Sequence, residues 1–144
     1  MNQIARLFED YWNNIRGDKA VPDFLDFRIQ DVHEDVIPYL SLIQVEENPR
    51  RFRYSVAGVS VVASYGEDLS GKYYDEMDLG GNYEVYMQDF HRAVDNQTIV
   101  RRQDRYTKQD GKEYDFDGHL YPFLGLDGRV NRLVILSIDT LRTE

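Results

Sequence analysis

The chain has 144 residues, of which 42% are hydrophobic, and it carries no cysteine and a formal net charge of −9. This composition predicts one folded domain with a hydrophobic core, because a disordered chain would have too little apolar surface to bury. The lack of cysteine excludes disulfides, thiolate catalysis and photochemistry through a cysteinyl adduct.

The distribution of charge and apolar residues restricts the partners and the location. Basic residues are scattered, which disfavours nucleic acid and anionic membranes and leaves a protein or a small molecule as the partner. No apolar run reaches the ~20 residues that a membrane-spanning helix needs. Glu9 and Asp10 lie where a signal peptide would be apolar, so we expect a cytoplasmic protein.

The first 19 residues are predicted to form an amphipathic helix that flanks the remaining domain, residues 20–144. Its apolar residues recur at the spacing of one helix face, and Gly17 and Asp18 end it. Such a stripe must be covered either by the chain's own sheet or by a second copy, and we predict a homodimer through this helix. The stripe consists of Ile4, Leu7, Phe8, Tyr11, Trp12 and Ile15.

The next predicted elements are short. A short helix is expected near Val32–Tyr39, and a second short helix follows the two strands of a hairpin. A longer helix comes next, with an apolar face of tyrosines, Met87 and Phe90. The predicted strands are Ser41–Glu47 and Arg51–Ala57, and the predicted helices after them are Val59–Tyr65 and Asn82–Asn96.

The C-terminal third is predicted to be an antiparallel meander. Asp110-Gly111 and Asp127-Gly128 are strong signals for two-residue hairpin loops. They join the predicted strands Thr98–Thr107, Glu113–Phe123 and Val130–Leu141. The fold class is therefore α+β, a five-stranded antiparallel sheet with helices on one face and the flanking N-terminal helix.

Three motifs in this order resemble a PAS-like family of bacterial proteins, formerly a domain of unknown function. They are IPYLSLIQV from Ile37, RFRYSVAGVSVVASYGEDLSGKYYDEM from Arg51 and LYPFLGLDGRVNRLV from Leu120. The resemblance implies a PAS fold, a sensory or adaptor role, no enzymatic activity and no agreed ligand or cofactor. It also implies action through another protein, such as a histidine kinase.

A ligand cavity is one interpretation of the sheet face that would look towards the longer helix. With a two-residue loop, arginines of the third strand would share that side with aromatic residues, which suits an anionic or polar ligand. Plain core packing, with the arginine heads reaching the edge, is the alternative. The candidate ligand-binding residues are Tyr54, Tyr74, Tyr83, Tyr86, Phe90, Arg101, Gln103, Tyr114 and Phe116.

The sequence gives weaker signals for a metal or acid–base site and for a haem ligand. The same hairpin register would place Asp104, Asp117 and His119 on one side of the sheet. These residues could form the site of a small metal-assisted or acid–base enzyme, and the alternative is a solvated sheet face. His91 lies on the helix that carries the iron ligand in haem-binding PAS domains, but a solvent-facing histidine is the alternative. We expect no metal and no cofactor.

The glycine-rich segment is predicted to be a scaffold. Gly66 and Gly71 have the spacing of a phosphate loop, but Tyr73 occupies the place of its serine or threonine. The two glycines therefore serve tight turns, and Asp68 is expected to cap the backbone of the loop.

Overall fold

The computed structural model describes residues 2–77, 83–108 and 110–142. Within these residues, three helices and five strands follow one another in the predicted order, and single 3₁₀ turns join several of them. The helices are α1 (Gln3–Arg16), α2 (Val59–Tyr65) and α3 (Tyr83–Asn96), and the strands are β1 (Leu40–Glu46), β2 (Arg51–Val56), β3 (Val100–Thr107), β4 (Glu113–Leu124) and β5 (Val130–Leu141).

Several predicted elements have different bounds, and the strands β1, β2 and β4 differ by one residue at one end or both. The short helix expected near Val32–Tyr39 is only a 3₁₀ turn at Ile37–Tyr39, because Pro38 has no N–H with which to continue a helical ladder. The third strand begins at Val100 rather than at residue 98. The predicted start of α3 at residue 82 lies outside the described residues.

The five strands form one antiparallel sheet in the order β2-β1-β5-β4-β3. β1 and β5 are far apart in sequence but adjacent in space, so the C-terminal strand closes the centre of the sheet. This confirms the predicted five-stranded α+β architecture. None of the described helices is both long and apolar enough to cross a membrane.

Each face of the sheet has its own hydrophobic core. The inner face packs against α2 and α3, and its core includes Ile43, Phe52 and Leu133. The outer face is covered by α1 of the same chain. Its core joins Ala5, Phe8 and Trp12 of the helix to Tyr121, Phe123, Val134 and Leu136 of the sheet.

Gly58 fixes the point where β2 leaves the sheet and α2 begins. A Cβ at this position would lie 2.7 Å from the Pro38 carbonyl oxygen and 2.8 Å from that of Leu40. The Gly58 N–H donates to Ser41 Oγ at 3.1 Å. Only glycine allows the backbone to approach this closely, so α2 packs directly over the sheet.

The β3–β4 hairpin differs from its predicted register by one residue. Three residues, rather than two, separate Lys108 from Lys112, whose N–H···O bond of 3.1 Å closes the loop, and Gly111 is left-handed at φ 79°. This is the three-residue hairpin in which glycine takes the left-handed position. Asp104 consequently pairs with Phe116 instead of Asp117.

The β4–β5 hairpin has the same construction. Gly125 N–H donates to the Arg129 carbonyl at 2.7 Å, and Gly128 is left-handed at φ 78°. The Asp127 side chain accepts the Arg129 N–H at 2.9 Å and holds the turn. Both Asp-Gly pairs therefore mark hairpins, as predicted, but each loop is one residue longer than expected.

Candidate functional site

A cavity of about 320 Å³ lies between α2, α3 and the inner face of the sheet. This volume is at the small end of the range for small-molecule sites. Most of its wall is aromatic or aliphatic, with a few polar groups. The lining residues are Tyr54, Ser60, Val61, Ser64, Tyr65, Leu69, Tyr74, Met77, Tyr86, Asp89, Phe90, Val100, Arg102, Tyr106, Phe116, Gly118, Leu120, Ile135, Ser137 and Asp139.

Aromatic rings provide flat surfaces around this cavity. The Tyr74 and Phe90 ring centroids are 4.5 Å apart, and those of Tyr86 and Phe116 are 5.9 Å apart. These separations are typical of packed aromatic pairs, whose exposed faces can accept a further ring. The wall therefore favours a flat, unsaturated ligand over a flexible one.

Two buried tyrosines bring hydroxyl groups to the same wall. Tyr54 and Tyr74 are each 5% exposed, and burial raises the pKa of both phenols, so they stay protonated donors. Both residues line the cavity, so a bound molecule with an acceptor atom can take a hydrogen bond from their hydroxyls.

An ion pair joins α3 to β3 beside the cavity. Asp89 is 3% exposed and accepts two bonds from Arg102, from Nε at 2.5 Å and from Nη2 at 3.0 Å. Arg92 Nη1 lies 3.5 Å from the same carboxylate. The hydrogen bonds to Asp89 raise the pKa of Arg102, so the guanidinium stays charged and its charge is committed to this carboxylate.

The Asp89–Arg102 pair was missed by sequence reasoning. Asp89 lies three residues after Tyr86 and four before the buried Ala93, so it interrupts the apolar face of α3. An acidic residue at such a position signals a buried partner of opposite charge. The partner could not be found from the sequence because the predicted hairpin register put Arg102 on the other face.

Asp139 of β5 forms the polar end of the cavity. Its Oδ2 accepts a bond from Ser64 Oγ at 3.1 Å and lies 3.2 Å from Lys108 Nζ. Burial, and next the neighbouring Asp139 carboxylate, raise the pKa of Tyr106. Helix α2, strand β3 and the loop after β3 thus converge on one carboxylate of β5, and the sequence analysis placed none of these residues in the cavity.

Five of the nine predicted ligand-binding residues line the cavity. Tyr83 and Tyr114 are on its side of the fold but outside its lining: Tyr83 stacks on Tyr74 with centroids 5.9 Å apart, and Tyr114 donates to Asp110 at 3.0 Å. The five that line it are Tyr54, Tyr74, Tyr86, Phe90 and Phe116.

The prediction was wrong for Arg101 and Gln103. In the observed register they pair with His119 and Asp117 and lie on the outer face, away from the cavity. Arg101 forms an ion pair with Glu9 of α1 there. A one-residue change in register moves every side chain of a strand to the opposite face. The observed register therefore places Arg102 in the cavity lining instead of Arg101 and Gln103.

The structure does not bring together the residues of the alternative metal or acid–base site, and it does not place the candidate haem ligand at the cavity. Asp104 is on the inner face, whereas His119 and Asp117 are on the outer face, with His119 Nε2 3.0 Å from Asp117 Oδ1. Within residues 2–77, 83–108 and 110–142, no three metal-ligating side chains form a cluster. His91 packs on Phe52, with centroids 5.4 Å apart, and does not line the cavity.

The glycine-rich segment is a scaffold, as predicted. Gly66 and Gly71 have φ values of 102° and 84°, which a residue with a side chain rarely adopts. Asp68 Oδ1 accepts the Ser70 N–H at 3.0 Å, and this bond lowers the pKa of Asp68. Gly71 N–H donates to Tyr54, so the loop protects the edge of β2.

No protein-family model and no curated protein matches this chain. Solved structures do match it. The PAS domain of a Colwellia psychrerythraea protein is 13% identical with a TM-score of 0.55, and the match covers 78% of this chain and 98% of that one. VqmA bound to DPO is 14% identical with a TM-score of 0.55, covering 69% and 52%. A Rhodobacter sphaeroides LOV protein is 12% identical with a TM-score of 0.50, covering 69% and 57%. The chain thus spans little more than half of the last two.

Proposed function

We propose that this chain, whose fold is that of PAS domains, is a cytoplasmic sensory adaptor that binds a small molecule between α3 and the sheet. The PAS fold expected from the three sequence motifs is confirmed by the structural neighbours. PAS domains in general serve as sensory rather than catalytic modules, which supports a role without enzymatic activity. The membership in one bacterial PAS-like family stays a prediction.

The observation that carries this proposal is the cavity itself, whose mostly aromatic and aliphatic wall also holds the hydroxyls of Tyr54 and Tyr74. A filled core would leave no space of about 320 Å³ between the helices and the sheet. Light sensing of the kind that forms a cysteinyl adduct is excluded, since the chain has no cysteine. A diffusible ligand is the remaining type of input that this cavity favours.

The output is proposed to be contact with another protein, such as a histidine kinase. Helix α3 and strand β3 are joined by the Asp89–Arg102 pair beside the cavity. A ligand that contacts the cavity face of this pair would alter how the helix packs on the sheet. A partner that reads the position of α3 would then sense occupancy of the cavity.

Ligand binding is tested by a thermal-shift screen of the purified protein together with native mass spectrometry. A true ligand at 100 times its Kd adds about 2.7 kcal/mol to the free energy of unfolding. The Ser137→Leu variant places a larger side chain in the cavity and is expected to abolish that shift. Thr140→Leu is the matched control, because Thr140 is exposed on the same strand.

Two outcomes would contradict the proposal. Undiminished binding to the Ser137→Leu variant would place the ligand outside this cavity. If no compound stabilises the protein, the alternative is a ligand-free interaction module.

We also propose that the chain forms a homodimer through one flank of α1. Phe8 and Trp12 are buried against the chain's own sheet and are not available to a second copy. The half-buried part of the predicted stripe packs against the same core but keeps part of its apolar surface exposed at the edge of the helix. This part is made of Ile4, Leu7, Tyr11 and Ile15.

Sedimentation velocity at high micromolar concentration tests this dimer. The Leu7→Glu variant is expected to sediment as a monomer, because a charge would be desolvated at the interface. The exposed Arg6→Glu variant on the same helix should remain a dimer. A wild-type monomer at these concentrations would contradict the dimer. Deletion of residues 1–16 is a poor test because it uncovers the outer core.

A further inference from the structure

The two oxygens of the Asp139 carboxylate have unequal partners. Oδ2 accepts a hydrogen bond from Ser64 Oγ at 3.1 Å and lies 3.2 Å from Lys108 Nζ. The Tyr106 hydroxyl interacts with this carboxylate as well, but Oδ1 is buried and has no hydrogen bond of ordinary geometry from the described residues. A buried carboxylate oxygen without a donor is unfavourable, and Asp139 lines the cavity, so a donor on a bound molecule would satisfy it.

The charges around the cavity do not favour an anionic ligand. Arg102 is the one cationic residue among the described lining residues, and its charge is neutralised by Asp89 through two hydrogen bonds. Lys108 is in turn committed to Asp139 at 3.2 Å, so an anion would meet no uncommitted positive charge among the described residues around the cavity. The anionic ligand expected from the sequence depended on Arg101, which lies on the outer face.

The rest of the cavity wall favours ligands with flat rings. Beyond its polar end, the cavity is bordered by the rings of Tyr74, Phe90, Tyr86 and Phe116. Aromatic faces stack on flat rings and gain little from branched or flexible chains. The Tyr54 hydroxyl offers a further donor for a ring carbonyl or nitrogen.

From these features we propose that Asp139 is a specificity-determining residue, which accepts an N–H from an uncharged, planar heterocycle. The ring N–H or an exocyclic amino group of the ligand binds Oδ1, and the ring system lies among the aromatic side chains. This inference rests on the proposed function, since it names the ligand class of the same cavity. Anionic analogues of the same shape that lack the N–H lose this hydrogen bond and gain no cation in return.

Three bicyclic probes of similar size separate these contributions. The first is 2-quinolone, a neutral lactam with a ring N–H, and the second is N-methyl-2-quinolone, which lacks the donor. The third is quinaldate, an anion. A hydrogen bond to a charged group contributes about 1.5–3 kcal/mol, so calorimetry should find 2-quinolone binding about tenfold to a hundredfold more tightly than its N-methyl analogue. Quinaldate should bind most weakly.

Variants of the carboxylate complete the test. Asp139→Asn keeps the shape of the side chain and should reduce the preference for 2-quinolone to a few-fold, with tighter quinaldate binding than in the wild type. Asp139→Leu should remove the preference. Asp104→Asn is the control, because it removes the same charge from the same sheet face outside the cavity lining, and it should keep the wild-type preference. Circular dichroism of each variant verifies the fold.

The outcomes are distinct for the two proposals. If 2-quinolone and its N-methyl analogue bind the wild type equally, or quinaldate binds best, the role of Asp139 is overturned while the cavity remains a ligand site. An unchanged preference in both Asp139 variants overturns it as well. If the broad screen finds no ligand and no probe binds, the proposed function fails and this inference fails with it.

Discussion

The Trp12→Ala variant is expected to lose about 3–5 kcal/mol of unfolding free energy, as is usual when a buried tryptophan is truncated. Trp12 is 4% exposed and packs near Tyr121, with ring centroids 6.2 Å apart. Its indole N–H donates to the Pro122 carbonyl at 3.0 Å, so one side chain both fills the outer core and ties α1 to β4. Urea denaturation followed by circular dichroism measures the loss.

Two further variants separate packing from hydrogen bonding in this prediction. Trp12→Phe keeps an aromatic ring but leaves the Pro122 carbonyl without its donor, so it should cost less than the alanine variant. Arg6→Ala changes an exposed residue of the same helix and should stay within about 0.5 kcal/mol of the wild type. Equal stability of Trp12→Ala and the wild type would show that α1 does not cover the outer face.

Removal of Arg102 is expected to have the second largest effect. The Arg102→Met variant leaves the Asp89 carboxylate buried without its bidentate partner, and loss of one member of a buried pair typically costs 3–5 kcal/mol. Arg102 itself is 31% exposed, and Arg92 Nη1 remains 3.5 Å from the carboxylate. We therefore expect a loss of up to about 3 kcal/mol, measured by chemical denaturation.

A double-mutant cycle tests the physical reason for this loss. Asp89→Leu combined with Arg102→Met removes both charges and replaces them with apolar side chains. Its stability should recover most of the loss seen in Arg102→Met, because no uncompensated charge stays buried. If the double variant is less stable than either single variant, the pair stabilises the fold by more than mutual neutralisation.

The sequence contains enough local information to identify nearly every element. The spacing of Phe8 and Trp12 predicted α1, and the bounds of α2 and β5 agree with the structure. Periodicity and turn residues act over a few positions, so the chain itself reports them. The motifs from Ile37 and Arg51 also led to the correct fold, because a series of elements with these lengths fits few arrangements.

The candidate site was only partly predictable. Tyr54, Tyr74 and Phe90 were found because they belong to apolar patterns that form the inner core and whose placement does not depend on the β3–β4 register. Asp139 and Asp89 were missed, since a charged residue at the edge of an apolar face looks like a solvent-exposed one until its partner is known. Both are recognised only from contacts between distant segments.

The sequence by itself determined the types and order of the elements, the Asp-Gly turns and the exclusion of cysteine chemistry. Only the tertiary structure decided which strand residues face the cavity. The physical reason is that each hairpin loop has three residues, a length set by the pairing of whole strands and a left-handed glycine rather than by the Asp-Gly pair alone. Successive side chains of a strand point to opposite faces, so the one extra loop residue places Arg102 at the cavity and Arg101 on the outer face.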